Sequence, residues 1–372
     1  MIVSMRRLLL VLFVELAGGS LAGCGTPPAR PEDGGVLDMT LDPPRLVHAS
    51  GTVGDDGLSG TIDFDVPDGT RGISIEIVGG AHTLYALGSL RTAGGNDLVT
   101  LPAGGTIKQI LESSFFDDRA AILPGPMYQV VRLGTFTTLY PQSPDQAVPS
   151  GRLSLRVAAS DSVSGVQVTV RMPADDGAGV VHLNLFTVSE LAAAPPIDAA
   201  LASLRAIYAQ AGIEVVVDGM QTLTGSGFSS PTETFSYLPA PDSDLCALAQ
   251  LGRMRAPTDG IDAFIVDSFA VPGVRGESLG LPGAPDPGSY YDGIFVGRDD
   301  DPFVLGRSLA HELGHELALQ HVENIGMSGT VYPDPLADTM IGQANLMEPT
   351  GGSLLTAGQT YALRRSAFLR TK

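Results

Sequence analysis

The sequence predicts two folded units, an N-terminal all-β sandwich and a C-terminal α/β (α+β) unit with a mixed twisted sheet and an active-site helix. Apolar and polar residues alternate through residues 36–178, which is the pattern of half-buried strands. After residue 178, segments with helical spacing separate the strands. A histidine cluster at residues 311–321 then marks the helix on which chemistry is expected. With 372 residues, the chain is long enough for each unit to bury its own core.

Residues 1–23 predict an export signal. Arg6 and Arg7 precede an apolar run at residues 8–14, and small residues follow up to Cys24. The run is far shorter than the ~20 residues that span a membrane, so a transmembrane anchor is not expected. The alternative is an ordinary secretory signal followed by an incidental cysteine.

Residues 21–24, Leu-Ala-Gly-Cys, resemble the lipobox of bacterial lipoproteins. The resemblance implies cleavage before Cys24, acylation of its thiol and a mature protein anchored in the cell envelope by lipid. Gly25 after the cysteine indicates the outer membrane. Residues 24–35 are rich in proline and glycine and predict an extended tether. If Cys24 is incidental, the expectation is a secreted protein without an anchor.

The sandwich is predicted from a repeated alternation. Residues 61–66 and 72–78 alternate on either side of a Pro-Asp-Gly turn, and residues 152–157 and 166–170 repeat the pattern. The unit is similar to the jelly-roll accessory domains of secreted bacterial peptidases. A group of acidic residues here could hold calcium, although solvated turns are the favoured interpretation; its members are Asp55, Asp56, Asp63, Asp65 and Asp68.

The second unit, residues 179–372, predicts mixed helices and strands. Strands are expected at residues 180–186, 213–217, 263–266 and 292–296, with a helix at 197–211 that ends at Gly212. Asp301 is expected to cap the next helix, with Pro302 at its first position and residues 307–320 continuing it. Asp299, Asp300 and Asp301 could bind calcium, but the dipole of this helix already accounts for three acids at its start.

Three of the six histidines lie within residues 311–321. Residues four apart on a helix project from one face about 5–6 Å apart, so His311 and His315 can present two imidazoles to one metal ion. Glu312, between them, can then reach a water at that metal and accept its proton. His321 lies six residues after His315, a rotation of about 600° on a helix, and would point away. For His321 to join the site, the helix must end and the chain must turn back.

This segment resembles the metzincin zinc endopeptidases, whose pattern is HExxHxxGxxH followed by a methionine-containing turn. Residues 345–349, Asn-Leu-Met-Glu-Pro, are similar to that turn. The resemblance implies a metzincin-like zincin domain with one catalytic Zn²⁺ ion held by His311, His315 and His321. It also implies that Glu312 is the general base, that Met347 lies beneath the metal, and that the substrate is a peptide or protein.

The family resemblance implies how a substrate would lie. The strand just before the histidine helix would form the upper rim of the cleft, which places the rim at residues 293–297. A peptide would pair with the exposed edge of that strand. The segment at residues 347–355 would form the wall of the pocket.

Two departures from the family pattern leave alternatives open. Ala318 stands where the family has glycine, and an L-residue in the left-handed region costs roughly 1–2 kcal/mol. If His321 does not bind, Glu323 or Glu348 could supply the third ligand. No tyrosine follows Met347 by two residues, so Tyr332 and Tyr361 are unassigned candidates for stabilising the oxyanion.

Composition restricts the partners. The chain has 41 acidic and 22 basic residues, a formal charge of −19, which argues against nucleic acid or anionic lipid as a direct partner. Membrane attachment would therefore have to come from the lipid on Cys24. With that thiol acylated, only Cys246 remains, so no intramolecular disulfide is expected. Cys246 could be a latency ligand for the metal, but a small buried residue is the favoured interpretation.

Two functions are consistent with these features. The first is a zinc-dependent endopeptidase that acts on extracytoplasmic proteins. The second is a non-catalytic, lipid-anchored binding lipoprotein in which zinc only stabilises the fold. A purely structural site does not require Glu312 beside an open metal position, so the sequence favours catalysis.

Overall fold

The computed structural model describes residues 46–80, 82–117, 122–123, 127–173, 179–188, 195–224, 244–256, 258–269, 273–283, 293–325, 331–349 and 351–370. The predicted leader, Cys24, the tether and the Cys246 side chain lie outside the described residues. Of the helices in the described ranges, none combines the length and apolar character that crossing a bilayer requires.

Residues 46–173 form the two-sheet part of the molecule. In chain order its elements are β1 (Leu46–Val53), β2 (Ile62–Val66), β3 (Ile73–Val78), β4 (Leu84–Thr92), β5 (Asp97–Thr100), α1 (Ile107–Glu112), a π-helical turn (Ser113–Asp117), β6 (Ile122–Leu123), β7 (Gln129–Val130), β8 (Arg132–Leu133), β9 (Thr135–Tyr140), β10 (Gly151–Ala159) and β11 (Val163–Arg171). The first sheet has the antiparallel order β1-β11-β3-β9, and the second has the order β2-β10-β4-β5 with β8 also paired to β4.

Both sheets contribute to one hydrophobic core. Ile75 and Ile77 of β3 are buried in it together with Leu153 and Leu155 of β10. Inward residues alternate with exposed ones along β2 and β11, as expected for strands with one solvated face. The four strands predicted from alternation are confirmed as β2, β3, β10 and β11.

Residues 179–370 form the α+β part. Its elements are β12 (Val180–Val188), α2 (Ile197–Ala209), β13 (Glu214–Leu223), α3 (Asp244–Arg255), β14 (Ile261–Val266), β15 (Gly276–Ser278), β16 (Ile294–Gly297), α4 (Pro302–Glu316), β17 (Glu323–Ile325), β18 (Val331–Pro333) and α5 (Ala357–Leu363). The five-stranded sheet has the order β13-β12-β14-β16-β15, in which β15 runs antiparallel to β16 and the other pairs are parallel. The predicted mixed sheet is therefore confirmed.

The two faces of this sheet bury different clusters. Leu183 and Leu185 of β12 pack with residues of α2 and α4. On the opposite face, the rings of Phe186, Phe264 and Phe295 stack in a row with centroid separations of 5.1 and 4.6 Å. Because both faces are covered by apolar packing, the sheet gives α4 a rigid support.

The predicted rim at residues 293–297 is wrong as an exposed edge. Strand β16 lies between β14 and β15 and is hydrogen-bonded on both sides. The last strand of the described sheet on this side is β15, whose sequence is Gly-Glu-Ser. Three residues are too few to show an alternation of apolar and polar side chains, so the sequence does not predict this strand.

The two parts are joined by buried and partly buried hydrogen bonds. Arg71 donates from Nη2 to the carbonyls of Ser366 and Leu369 at 3.2 and 2.9 Å. The hydroxyl of Tyr361 donates to the carbonyl of Gln146 at 3.0 Å. These contacts tie the segment that includes α5 and the residues after it to the two-sheet part.

Candidate metal centre

The start of α4 follows the predicted capping pattern. The carboxylate of Asp301 accepts a hydrogen bond from the backbone N–H of Phe303 at 2.8 Å, and Pro302 occupies the first helical position. The carboxylates of Asp299 and Asp300 pair with Arg275 and Arg298. These acids therefore have partners within the protein, and the calcium alternative gains no support from them.

The remaining candidate calcium positions are also engaged with the protein. Asp63 accepts from Ser154, Asp65 from Arg152, and Asp56 from the backbone of Leu58. Asp55 accepts from Ser162. Their positions are those of solvated strand and turn residues.

Leucines four residues apart fix the orientation of α4. Leu305, Leu309 and Leu313 are buried in the core shared with the sheet. Gly306 allows close approach to α2, because a Cβ there would lie 2.7 Å from the Cβ of Ser203. The hydroxyl of Tyr208 in α2 donates to the carbonyl of Ala310 at 2.9 Å. The helix is thus held on two sides before it reaches the histidines.

The helix ends at Glu316, four residues earlier than the predicted end at Gln320. Ala318 has a φ of 86°, in the left-handed region, and the N–H of Leu319 bonds back to the carbonyl of Gly314 at 2.8 Å. The chain therefore reverses between His315 and His321, as the spacing required. Ala318 thus adopts the left-handed conformation at the position where the family pattern has glycine.

Replacing Ala318 by glycine is expected to stabilise the protein. Relief of left-handed strain, about 1–2 kcal/mol, exceeds the extra entropy that glycine gives the unfolded chain, about 0.4–1 kcal/mol. We expect urea unfolding to show a gain of about 0.5–1 kcal/mol for Ala318→Gly. The matched control is Ala206→Gly within α2, where the exposed alanine is helical and the change should cost about 1 kcal/mol. Equal destabilisation in both variants would contradict the strain at Ala318.

The turn brings the three imidazoles together. The Nε2 atom of His321 lies 3.1 Å from the Nε2 atoms of both His311 and His315. His311 contacts the carbonyl of Leu346 through Nδ1 at 2.7 Å, and His315 contacts the carbonyl of Leu319 through Nδ1 at 2.8 Å. Because a carbonyl only accepts, each Nδ1 carries the proton and each Nε2 presents a lone pair. The Nε2 atoms of the three rings thus lie together, with the Nε2 atom of His321 next to both others.

This donor set fits a zinc ion. Tetrahedral zinc with Zn–N bonds of about 2.0–2.1 Å separates its ligand nitrogens by about 3.3–3.4 Å, close to the 3.1 Å from the Nε2 atom of His321 to those of His311 and His315. Burial lowers the pKa of His311 and His315 and lowers that of His321 to about 3, with neighbouring positive charge acting in the same direction. The imidazoles are therefore neutral near pH 7, which is the form that binds metal.

The segment similar to the methionine turn lies under the histidine helix. Met347 is fully buried, and a Cβ on Gly314 of α4 would lie 2.8 Å from its sulfur. The carbonyl of Leu346 in the same turn orients His311. Asn345 anchors the turn by exchanging two amide hydrogen bonds with Gln359 of α5, at 2.9 and 2.8 Å. The turn thus sets both the floor of the site and the tautomer of one ligand.

The alternative third ligands are not brought to the centre. Within the described ranges, the group of side chains able to share a metal consists of His311, His315 and His321. Glu348 instead accepts from the backbone N–H groups of Gln343 and Asn345 at 2.9 and 3.2 Å. Glu323 lies in the β17–β18 hairpin, opposite Pro333.

The two tyrosine candidates are placed elsewhere as well. The hydroxyl of Tyr361 is directed to Gln146 of the two-sheet part, and the guanidinium of Arg365 lies 3.3 Å above its ring. Tyr332 lies in β18, opposite Asn324. Neither contact points to a role in stabilising an oxyanion.

The side chain of Glu312 extends from α4 to β15, where it packs against Gly276. This side chain is 7% exposed, and burial followed by the negative charge of Glu277 raises its pKa well above the usual value. Gly276 passes so close that a Cβ there would lie 2.6 Å from Cγ of Glu312. A carboxylate of raised basicity is suited to accept a proton near neutral pH. Glu277 and Gly276 were not predicted as site residues, because they belong to the undetected strand.

Asp334 stabilises the segment that leads towards the methionine turn. One carboxylate oxygen accepts from the N–H of Leu336 at 3.0 Å and from the hydroxyl of Thr339, while the other is buried without a hydrogen-bond partner among the described residues. Burial raises the pKa of this carboxyl to about 7. The protonated form is therefore favoured in the folded state.

The contribution of Asp334 to stability is expected to fall as pH rises from about 4 to 7. Its folded pKa lies above its unfolded pKa, so the contribution is complete below the unfolded pKa and is lost as pH rises through the folded pKa, by at most about 1.4 kcal/mol per pH unit. Asp334→Asn should remove this contribution from the slope of unfolding free energy against pH, measured by urea unfolding at several pH values. Asp65→Asn, at an exposed position paired with Arg152, is the control and should leave the slope unchanged. Identical slopes in wild type and Asp334→Asn would contradict the assignment.

Comparison with known proteins gives structural likeness only. No protein-family model matches the chain, and no curated protein matches it. Among solved structures, metalloproteinase-II from Bacteroides fragilis is similar with 12% identity and a TM-score of 0.34, over 53% of this chain and 60% of that one. Archaemetzincin from Methanopyrus kandleri has 16% identity and a TM-score of 0.29, over 52% and 91%. A structure described as a chaperone-substrate complex has 14% identity and a TM-score of 0.33, over 54% and 36%. The interpretation of the centre therefore depends on its own geometry.

Proposed function

We propose that this chain is a zinc-dependent endopeptidase that hydrolyses peptide bonds in extracytoplasmic proteins. One observation carries the proposal. Three neutral imidazoles converge through their Nε2 atoms, and the buried carboxylate of Glu312 follows the first of them on the same helix. Three histidines and one non-ligating glutamate are the composition of a hydrolytic centre rather than a closed structural one.

Each residue has one task in the proposed reaction. His311, His315 and His321 would hold zinc, which when bound supplies a Lewis acid that polarises the scissile carbonyl and the attacking water. Glu312 would accept a proton from that water as the water oxygen bonds to the carbonyl carbon. It then gives the proton to the departing amine nitrogen when the carbon–nitrogen bond breaks. Met347, buried against Gly314 of the histidine helix, would fill the floor of the centre.

The substrate is proposed to lie along β15 rather than along residues 293–297. Strand β15 ends the described sheet next to Glu312, since Gly276 contacts that side chain. An extended peptide that adds to this strand would place its backbone beside the general base. Residues 347–355 are proposed as the opposite wall.

The cellular setting is also a proposal, supported by the sequence alone. Cleavage before Cys24 and acylation of its thiol would anchor the mature protein in the bacterial outer membrane, with residues 24–35 as a tether. Residues 36–178 are proposed as a β-sandwich accessory domain and 179–372 as the peptidase domain. The two antiparallel sheets with one shared core support the first assignment.

A peptide-library digest combined with metal analysis tests the proposal. We expect the full chain to contain zinc, to cleave internal peptide bonds, and to lose this activity after treatment with a chelator. Zinc binding without cleavage of any library peptide would favour the binding lipoprotein instead. Cleavage that persists after complete removal of zinc would contradict the mechanism.

A further inference from the structure

The turn after β15 is held by the two-sheet part. Arg132 of β8 donates from Nη1 to the carbonyl of Leu279, and the hydroxyl of Thr137 in β9 donates to the carbonyl of Pro282. Both side chains are buried, with 7% and 6% of their surface exposed. Two buried donors from one part of the molecule therefore fix a turn of the other part.

The same turn encloses Glu316, the last residue of the histidine helix. The hydroxyl of Ser278 donates to Oε2 of Glu316 at 2.8 Å, and the N–H of Gly283 donates to the backbone carbonyl of Glu316 at 3.0 Å. A Cβ on Gly283 would lie 2.5 Å from Cδ of Glu316, so the turn packs directly on this side chain. The position of the turn and the end of α4 are thus coupled.

We propose that Arg132 is a positioning residue for the metal centre, through which the two-sheet part completes the site. It acts through the Leu279 carbonyl, in the turn that packs on Glu316 at the end of α4. The end of α4 also carries His315, and β15 places Gly276 against Glu312. Loosening of the turn would therefore displace a metal ligand and the general base together. The effects on turnover and on metal retention rest on the proposed function, whereas the effect on the turn does not.

The test compares Arg132→Met and Arg132→Lys with Arg71→Met in the full chain. Arg71 is the matched control, since it is equally buried and also donates to backbone carbonyls of the α+β part, but at Ser366 and Leu369. The measurements are hydrogen exchange of residues 276–283, the rate of zinc loss to a chelator, the melting temperature, and kcat and KM for a cleaved peptide.

We expect Arg132→Met to raise exchange in residues 276–283 and to speed zinc loss about tenfold, as loss of an outer partner of a metal site typically does. Arg132→Lys, which keeps a donor for the Leu279 carbonyl, should recover part of both. Arg71→Met should lower the melting temperature without either effect. If Arg132→Met fails to fold, Arg132→Lys compared with Arg71→Lys decides, because lysine cannot reproduce the guanidinium geometry.

The proposal is overturned if Arg132 variants change only the melting temperature, as the Arg71 variant does. Its failure is separate from that of the proposed function. A wild-type chain that retains zinc but cleaves no peptide would refute the peptidase, and exchange and zinc loss would still test Arg132. A wild-type chain that cleaves peptides, with Arg132→Met matching Arg71→Met in every measurement, would refute only this inference.

Discussion

Glu312→Gln is expected to lower kcat for peptide hydrolysis by about 10²–10⁴-fold while zinc remains bound, because the amide cannot accept the proton of the attacking water. Glutamine keeps the shape of the side chain, which is packed against Gly276. The three histidines are untouched, so metal content should match that of the wild type. The measurement is steady-state hydrolysis of a cleaved library peptide, with zinc determined on the same sample.

The matched control is Glu323→Gln, a change of the same chemistry in the neighbouring β17 strand. We expect this variant to keep wild-type turnover and zinc. Retention of activity in Glu312→Gln would remove Glu312 from the mechanism. Loss of zinc together with activity would show that the carboxylate supports the metal rather than the proton transfer.

His321→Ala is expected to weaken zinc binding by more than about 100-fold and to abolish hydrolysis. Removal of a direct ligand should exceed the 10–100-fold loss that follows changes in outer partners. His321 lies 3.1 Å from both other ligands and is brought there by the reversal at Ala318. Competition titration with a chromophoric chelator measures the affinity.

His182→Ala serves as the control for that variant. His182 is a half-buried histidine of β12 whose Nδ1 contacts the carboxylate of Asp218 at 2.8 Å, outside the ligand group. We expect its replacement to leave zinc affinity unchanged. An equal affinity in His321→Ala and wild type would assign the third ligand to another residue.

Local patterns in the sequence were sufficient to predict the helix that carries the site. Asp301 and Pro302 define its start by capping chemistry, and the spacing of His311 and His315 places both on one face. The distance of six residues to His321 required a reversal, which is present at Ala318. These features depend on backbone geometry within a few residues, and such geometry can be read from sequence.

The supporting residues could not be predicted in the same way. Glu316 resembles any polar residue at a helix end, yet it is buried because Ser278 and Gly283 enclose it from a segment more than thirty residues away. Arg132 reaches the same place from another part of the chain. Contacts of this kind depend on tertiary packing, for which neither periodicity nor capping gives a signal.

The short strand β15 escapes sequence-based prediction for a different reason. Its three residues are too few to show a period of two, so the sequence predicts β16 as the edge of the sheet, whereas β15 occupies that position. Ser278 pairs with Ile294 and Gly276 with Val296. This strand pairing forms only in the tertiary structure. It relocates the proposed peptide-binding edge and brings Glu277 next to Glu312.

The most direct test of the central claim is reconstitution of the metal-free chain by titration with zinc. If His311, His315 and His321 hold one catalytic ion, peptide hydrolysis should rise linearly with added zinc and stop rising at one equivalent. The same titration of His321→Ala should restore no activity in that range. Hydrolysis at full rate before any zinc is added, or activity that is indifferent to zinc throughout, would contradict the assignment of these residues as a catalytic zinc centre.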